Sequence, residues 1–498
     1  MAALSVLMCA EGTYPHYEGG VSVWCDQLVR SLPEFNFRLF SITQGPNQPL
    51  AFRLPPNVVG TDAVPIWGTQ EPGRQEVSFS ESYQRKARTS AAVIRTEFLP
   101  SFCELVRCIT DTSLPPQRLG NAVVKLHFYF KRLDYVKSMT SPEAWDAFLE
   151  IYRECSVAGE KLTVHDATTC MRWIQRFLGV LTVPLSRVDI SHSSMAGMAS
   201  IPGVLSKLLY GSPFLLSEHG IYLRELYLSI MRSGYSEACR RFLFSFNEAV
   251  VKMNYHFADV VTALGTFNKS WQVRLGASET KIRLTPNGVD PTRFRPAERA
   301  ENSRPVVLTM ARIYRIKGIE FLLRAAAIVR SRVPSVLFRV LGEPADKAYY
   351  QHCRQIVSEH GLENTVEFGS TKDPAPAYAQ ADVFCLPSIS EGMPFSVLEA
   401  MFSGCAVVAT DVGNVSEMLS GTGIVVRPAD SESLARALLS LLEGEEQARE
   451  YRRSLASAAL KRAHALYTSD QAVSRFRDLY HSLTHDRTPF EVHSAAVR

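Results

Sequence analysis

Two glutamates, Glu391 and Glu399, frame the stretch Ser388-Ile-Ser-Glu391-Gly392-Met393-Pro394-Phe395-Ser-Val-Leu-Glu399-Ala-Met-Phe-Ser-Gly404. A carboxylate accepts two hydrogen bonds at once, which suits a vicinal diol such as a ribose or the edge of a sugar ring. Pro394 fits the first turn of a helix and Gly404 its stop. The amides of Gly392, Met393 and Phe395 then lie at a helix start, where they can bind anionic oxygen. Diol-binding carboxylates beside anion-binding amides make a site for a phosphate-bearing sugar. The same two glutamates would also serve as solvated helix charges, so the remaining chemistry decides between these readings.

That chemistry recurs at predicted strand ends. Arg312 and Lys317, the latter followed by Gly318, are two cations able to neutralise a diphosphate. Gly19-Gly20 lets backbone approach a phosphate ahead of a helix. His192 falls where a strand runs into a small-residue loop, and Glu218-His219 stand side by side at the end of another strand. Ionisable groups gather at such ends in open α/β sheets. The spacing shows no paired Cys/His ligands and no Asp-x-Asp at a strand end, so no metal site is expected.

The elements that position these residues are legible as short apolar runs broken by turn residues. Strands are expected at Leu4–Ala10, Phe37–Thr43, Pro213–Ser217, Asp259–Leu264 and Lys281–Thr285, with Val21, Trp24, Leu28 and Leu32 on one helix face. A second series follows: Val306–Met310, Phe338–Gly342, Val366–Gly369, Val383–Pro387, Cys405–Thr410 and Ile424–Val426. Strand, helix and strand in so few residues predicts parallel βαβ units. Residues from about 60 to 160 contain helical patches, several Pro turns and few clean parallel strands, and read as a helical insertion whose Phe128-Tyr-Phe and Trp145 are packing residues. The expected division is a first domain over 1–290, a polar linker over 291–305, a second domain over 306–470, and a helix over 471–486 that returns to the first.

Composition excludes several classes. With 498 residues the chain can hold two or three domains, and 46% apolar residues can build their cores. Lys plus Arg number 54 against 50 Asp plus Glu, a net charge of +4, which argues against a nucleic-acid-coating surface. Ten cysteines without Cys-x-x-Cys fit a reducing cytoplasm. Met1–Ala10 lacks a basic leader and reads as the first strand, and no apolar run is long enough to span a membrane.

Glu11-Gly-Thr-Tyr-Pro with Gly19-Gly20-Val-Ser-Val-Trp, Ser217-Glu-His-Gly-Ile-Tyr-Leu-Arg-Glu, and Ser388-Ile-Ser-Glu391 through Glu399 occur in this order along nearly the whole chain. The pattern resembles retaining glycosyltransferase family 4, of GT-B fold, in the branch containing the cytosolic glycosyltransferase of the Pel exopolysaccharide system. Gly392-Met393-Pro394-Phe395 is closer to the general family pattern than to that branch. The resemblance implies two Rossmann-like domains facing a central cleft. It also implies a metal-independent hexosyl transfer from a nucleoside-diphosphate sugar, UDP-glucose or a related UDP-hexose, to a saccharide or other hydroxyl acceptor. Residue by residue, Glu399 would hold the ribose and Glu391 the donor hexose. Arg312 and Lys317 would hold the diphosphate, with Gly19 and Gly20 opposite. Gly342, Gly369 and Ser370 would line the donor pocket, the last two near the base. His192 would lie near the sugar's reactive face, and Glu218 and His219 would serve the acceptor or active site. Peripheral association with a membrane polysaccharide-export complex is a further implication; nucleic acid is not. A nucleotide-sugar epimerase of the same fold and a non-catalytic nucleotide-sugar-binding protein are the alternatives.

Overall fold

The computed structural model describes residues 3–68, 77–156, 162–297 and 304–485. The chain divides into two compact units. The first comprises residues up to Ala263, Lys269–Arg283 and those from Arg477 on; the second comprises Leu264–Asn268 and Leu284–Phe476.

The first unit carries β1 (Ser5–Glu11), β2 (Asn36–Ile42), β3 (Val58–Val64), β4 (Ile190–Ser193), β5 (Phe214–Glu218), β6 (Val260–Ala263) and β7 (Ile282–Leu284), in the sheet order β3-β2-β1-β4-β5-β6-β7. The pairings from β3 through β6 are all parallel. β1, β4 and β5 are buried almost end to end, which is why they read as continuous apolar runs: helices cover both faces of a parallel sheet. The helix Gly20–Ser31 buries Trp24, Cys25, Leu28 and Val29 on one face, as its periodicity demands.

The insertion has different limits from those expected. β3 overlaps the start of the 60–160 stretch, and the helices between β3 and β4 run from Phe79–Arg88 to Val164–Gly179. β3 escaped the reading because its residues alternate between half-buried and exposed, with Gly60, Thr61 and Asp62 in its middle; a polar edge strand gives no apolar run. Phe98, Phe102, Phe130 and Phe148 are buried in the common core of this unit, with Phe128 and Trp145 packed against it.

The second unit carries β8 (Val306–Met310), β9 (Leu337–Leu341), β10 (Val366–Gly369), β11 (Val383–Leu386), β12 (Ala406–Thr410) and β13 (Ile424–Val426). They form one parallel sheet in the order β10-β9-β8-β11-β12-β13. This is the doubly wound arrangement, with its switch point between β8 and β11; in the first unit the switch falls between β1 and β4. The boundary expected at residue 290 falls earlier. Thr285–Asp290 is tied into the second unit, where Asn287 Nδ2 donates to the Met393 carbonyl at 3.0 Å and the Val289 amide donates to the Tyr467 carbonyl at 2.9 Å. Residues 298–303, within the 291–305 linker, lie outside the described residues, as does residue 486 of the returning helix. That helix, Ser469–His485, joins the first unit from Arg477 on, where Arg477 pairs with Glu34 at 2.7 Å and Tyr480 packs on Phe35 at 5.2 Å.

Candidate active site

In the second unit the predicted residues converge on the switch point. A tight turn at Arg315–Lys317 follows β8 and ends at Gly318, whose φ is +61°. A Cβ there would stand 2.2 Å from the Pro387 carbonyl oxygen, so only glycine lets the β8 loop press against the β11 loop. The Ile389 amide donates to the Ile316 carbonyl at 2.8 Å and locks the two loops together. The result is an ion pair: Lys317 Nζ lies 2.6 Å from Glu391 Oε1, which also accepts the Ser388 hydroxyl at 2.6 Å. The pair is largely shielded, with side-chain exposures of 18% and 10%. Arg312 is exposed, its guanidinium 5.6 Å from the centre of the Tyr314 ring.

The segment Gly392–Pro394 is held from behind through its carbonyls. Asn414 donates its backbone amide to Gly392 O at 2.8 Å, and Asn287 donates to Met393 O. Gly413, with φ +59°, passes beneath; a Cβ there would reach Gly392 O at 2.3 Å and Glu391 O at 2.4 Å. The following helix is Phe395–Phe402, with Pro394 as its N-cap rather than in its first turn, and no side chain caps it. Its leading amides therefore have no intrahelical acceptor and remain a place for anionic oxygen. Glu399, one turn into this helix, is half-buried beside Tyr378. Burial raises its pKa, held back by the Tyr378 hydroxyl and the Arg293 charge.

Gly342, Gly369 and Ser370 stand at the ends of β9 and β10. Gly342 donates its amide to Gly369 O at 2.8 Å, and a Cβ on Gly342 would come within 2.0 Å of Ala311 O. That glycine is therefore demanded by packing of one strand end on the next. Gly369 and Ser370 are exposed.

In the first unit the structure separates the two histidines. His192 is fully buried inside β4, with Nδ1 2.7 Å from the Tyr480 hydroxyl and Nε2 2.8 Å from Ser217 Oγ. Both ring nitrogens are committed within the fold, so His192 is not placed to meet the reactive face of a sugar; it stands at the C-terminal end of its strand as its sequence suggests, and departs from the role that the family resemblance implied. The strand ends one residue later, at Ser193, and its His192 side chain faces the interior against the last helix. His219 follows β5, meets Trp24 edge-on with ring centres 4.2 Å apart, and has a buried Nε2 without a hydrogen-bond partner among the described residues. Burial pushes both imidazoles down to about 3, with the His219 charge a second, smaller influence on His192, so both are neutral near pH 7.

Glu218 is also an interior group. It accepts the Tyr255 hydroxyl, Gln272 Nε2 at 3.2 Å and the amide of Tyr222 at 3.3 Å, and so fastens the start of the helix Tyr222–Met231. Burial drives it up to about 7 against those bonds. Gly19 is the extended N-cap of the helix Gly20–Ser31, and nothing stands within 4 Å of where its Cβ would be. The sequence reading missed Glu11, at the end of β1, which accepts the Trp67 indole N–H at 3.0 Å. Its signal was an acidic residue closing an apolar strand.

These placements yield a contrast. His192→Ala removes two hydrogen bonds and opens a cavity, and should cost about 2–4 kcal/mol of stability. His219→Ala breaks no hydrogen bond, so it should cost less stability and more turnover. Denaturation midpoints and initial rates on both variants check this, and the reverse ranking would return His192 to the substrate.

Two parallel doubly wound units with helix starts and cations at the strand ends define a GT-B fold. Solved structures match it: sucrose-phosphate synthase from Thermosynechococcus elongatus (TM-score 0.59, 18% identity, covering 97% of this chain and 99% of that one) and Anabaena HepE in complex with UDP (TM-score 0.60, 15% identity, 96% and 100%). The chain belongs to the family described as "Domain of unknown function (DUF3492)", whose model matches residues 4–280, and residues 304–444 match "Glycosyl transferases group 1". It is 32% identical over 191 residues to the D-inositol 3-phosphate glycosyltransferase of Nocardia farcinica, covering 35% of this chain and 42% of that protein. It is 30% identical over 211 residues to the GDP-mannose-dependent alpha-(1-6)-phosphatidylinositol monomannoside mannosyltransferase of Mycobacterium tuberculosis, covering 38% and 54%. The chain thus spans about half the length of these curated relatives. No helix among the described residues is long and apolar enough to cross a membrane.

Proposed function

We propose that this protein is a retaining, metal-independent glycosyltransferase that moves a hexose from a UDP-hexose to a hydroxyl acceptor in cytoplasmic exopolysaccharide or glycoconjugate synthesis. The observation that carries this is the shielded Lys317–Glu391 pair at the switch point of the second sheet, beside the uncapped helix that bears Glu399. Uridine as the base draws support from the HepE structures with UDP and UDP-glucose, and the named relatives transfer sugars. The Glu11-Gly-Thr-Tyr-Pro and Ser217-Glu-His-Gly runs favour the Pel-like branch, and with it docking to an export complex at the membrane.

In this reading Glu399 holds the ribose hydroxyls, while Lys317, Arg312 and the amides from Gly392 to Phe395 hold the diphosphate. The bond from the anomeric carbon to the diphosphate oxygen breaks, and its electron pair leaves with UDP. Lys317 and the amides stabilise the charge that develops there. The acceptor oxygen bonds to the anomeric carbon on the same face and passes its proton to the departing phosphate. Neutral His219 offers its free nitrogen to a substrate hydroxyl, and Glu391 orients Lys317.

UDP should stabilise the protein in the absence of divalent metal. The expected gain is about 1–4 kcal/mol at about 10 to 1,000 times the dissociation constant. Thermal unfolding with UDP in EDTA, followed by product analysis with UDP-hexoses, tests it. Binding that disappears in EDTA and returns with Mn²⁺ or Mg²⁺ overturns the metal-free mechanism.

A further inference from the structure

The Gly392 carbonyl is held twice, and both donors come from one residue. The Asn414 backbone amide donates to it at 2.8 Å, and the Asn414 side chain donates through Nδ2 at 3.2 Å. The same carboxamide makes two further bonds. Its Nδ2 also donates to Asn268 Oδ1, and its Oδ1 accepts the Phe267 amide at 3.1 Å. Asn414 and Asn268 are both buried, and a Cβ on Gly265 would stand 2.3 Å from Asn414 Oδ1, so the carboxamide packs directly on backbone. Residues 264–268, the donor loop and Asn414 all belong to the second unit, and the network lies within it.

Peptide planarity carries this hold to the other side of the loop. In a trans peptide the carbonyl and the following N–H point in opposite directions. Gly392 O faces Asn414, so the Met393 N–H faces away from it, and that amide donates no hydrogen bond among the described residues. The next peptide, into Pro394, has no N–H. Its carbonyl accepts Asn287 Nδ2 at 3.0 Å, and the Asn287 amide lies 3.3 Å from Met393 Sδ. Asn287 thus holds Met393 by its carbonyl and its side chain, while Asn414 sets the plane that carries its amide. The position needs a short planar group that donates to two oxygens and accepts from one amide. Asn supplies this, whereas Asp would turn an oxygen on two acceptors.

We propose that Asn414 is a positioning residue for the donor diphosphate: its carboxamide fixes the Gly392–Met393 peptide so that the Met393 amide meets a phosphate oxygen. This rests on the glycosyl-transfer reading, in which the amides from Gly392 to Phe395 hold the diphosphate. Asn414 acts through that peptide and not by touching the ligand. Glu417 provides the contrast. Its Oε2 accepts the Thr266 amide at 2.7 Å and the Thr266 hydroxyl at 2.6 Å, at the start of the helix Thr266–Arg274. Glu417 therefore anchors the same segment as Asn414, but among the described residues its side chain makes no bond to the donor loop.

Calorimetry with UDP and saturation-transfer NMR with uridine test it on the full chain, beside turnover of UDP-glucose read as UDP released. Asn414→Ala keeps the backbone bond to Gly392 O and loses the side-chain bonds. It should weaken UDP by about three- to tenfold, the range for one impaired hydrogen bond, and leave uridine within about twofold. Its kcat should fall by about tenfold, because a donor aimed at growing charge loses its preorganisation. Glu417→Ala should lower Tm and leave the ratio of UDP to uridine affinity unchanged. An Asn414→Ala protein that does not fold, or that loses UDP and uridine equally, makes Asn414 a structural residue and overturns the proposal. So does unaltered UDP binding in Asn414→Ala, or a UDP-selective loss in Glu417→Ala. Each of these results leaves the glycosyl-transfer reading standing. Wild-type protein that binds no UDP removes that reading, and this proposal with it.

Discussion

Lys317→Ala is expected to lower turnover by about 10²–10³, the loss typical for removing a group aimed at charge that grows in the transition state. The structure changes what else this variant should do. From sequence Lys317 reads as a surface cation at the mouth of a sheet, with little bearing on stability. It is instead paired at 2.6 Å with a carboxylate only 10% exposed. Removing the lysine strands Glu391, and breaking a shielded pair from one side destabilises by about 3–5 kcal/mol when burial is complete. The loss here should be a fraction of that, because both partners keep some solvent. The double variant Lys317→Ala/Glu391→Gln separates the two roles. Neutralising Glu391 should recover most of the lost stability, since Gln can still accept the Ser388 hydroxyl. Turnover should stay low, because no cation returns. Denaturant midpoints and single-turnover rates on the parent and both variants would check this. Recovery of turnover along with stability would make Lys317 a structural residue.

Glu399→Gln is expected to weaken UDP and UDP-hexose alike by about 1–3 kcal/mol, the range for hydrogen bonds to a charged group. Its effect on the fold should be of opposite sign. Burial holds the Glu399 pKa above its ordinary value. A raised carboxyl contributes stability that is present at low pH and lost as pH rises through the folded-state value. At neutral pH the fold bears the cost of the buried charge, and Gln removes it. The variant should therefore be as stable as the parent or more so, while binding nucleotide less well. A 2′-deoxy-UDP cycle locates the contact: the mutation should cost the deoxy ligand less than it costs UDP, and that non-additivity is the mark of direct interaction. Titration calorimetry on the four combinations decides it. Equal losses for the two ligands would take Glu399 off the 2′ hydroxyl.

The sequence by itself determined the parts whose physics is local. β1, β8, β11 and β12 announce themselves because a parallel strand covered on both faces must be apolar throughout. Gly318 and Gly404 mark places where the backbone takes a positive φ, 61° and 71°. The Glu391–Gly404 segment, the cations after β8 and the class of two doubly wound sheets were legible for these reasons. What the sequence left open depends on residues far apart along the chain. That His192 is consumed and His219 is not follows from Tyr480, 288 positions beyond His192. Lys317 finds Glu391 across 74 positions, and Glu11 finds Trp67 across 56. β3 had no apolar signature, since an edge strand buries only part of itself and can keep polar residues. Neither residue type nor spacing reveals which atoms of a polar group remain unmatched after folding. The tertiary structure decided that, because hydrogen-bond satisfaction is a property of the assembled interior, where a partner from any part of the chain can fill the place or leave it empty.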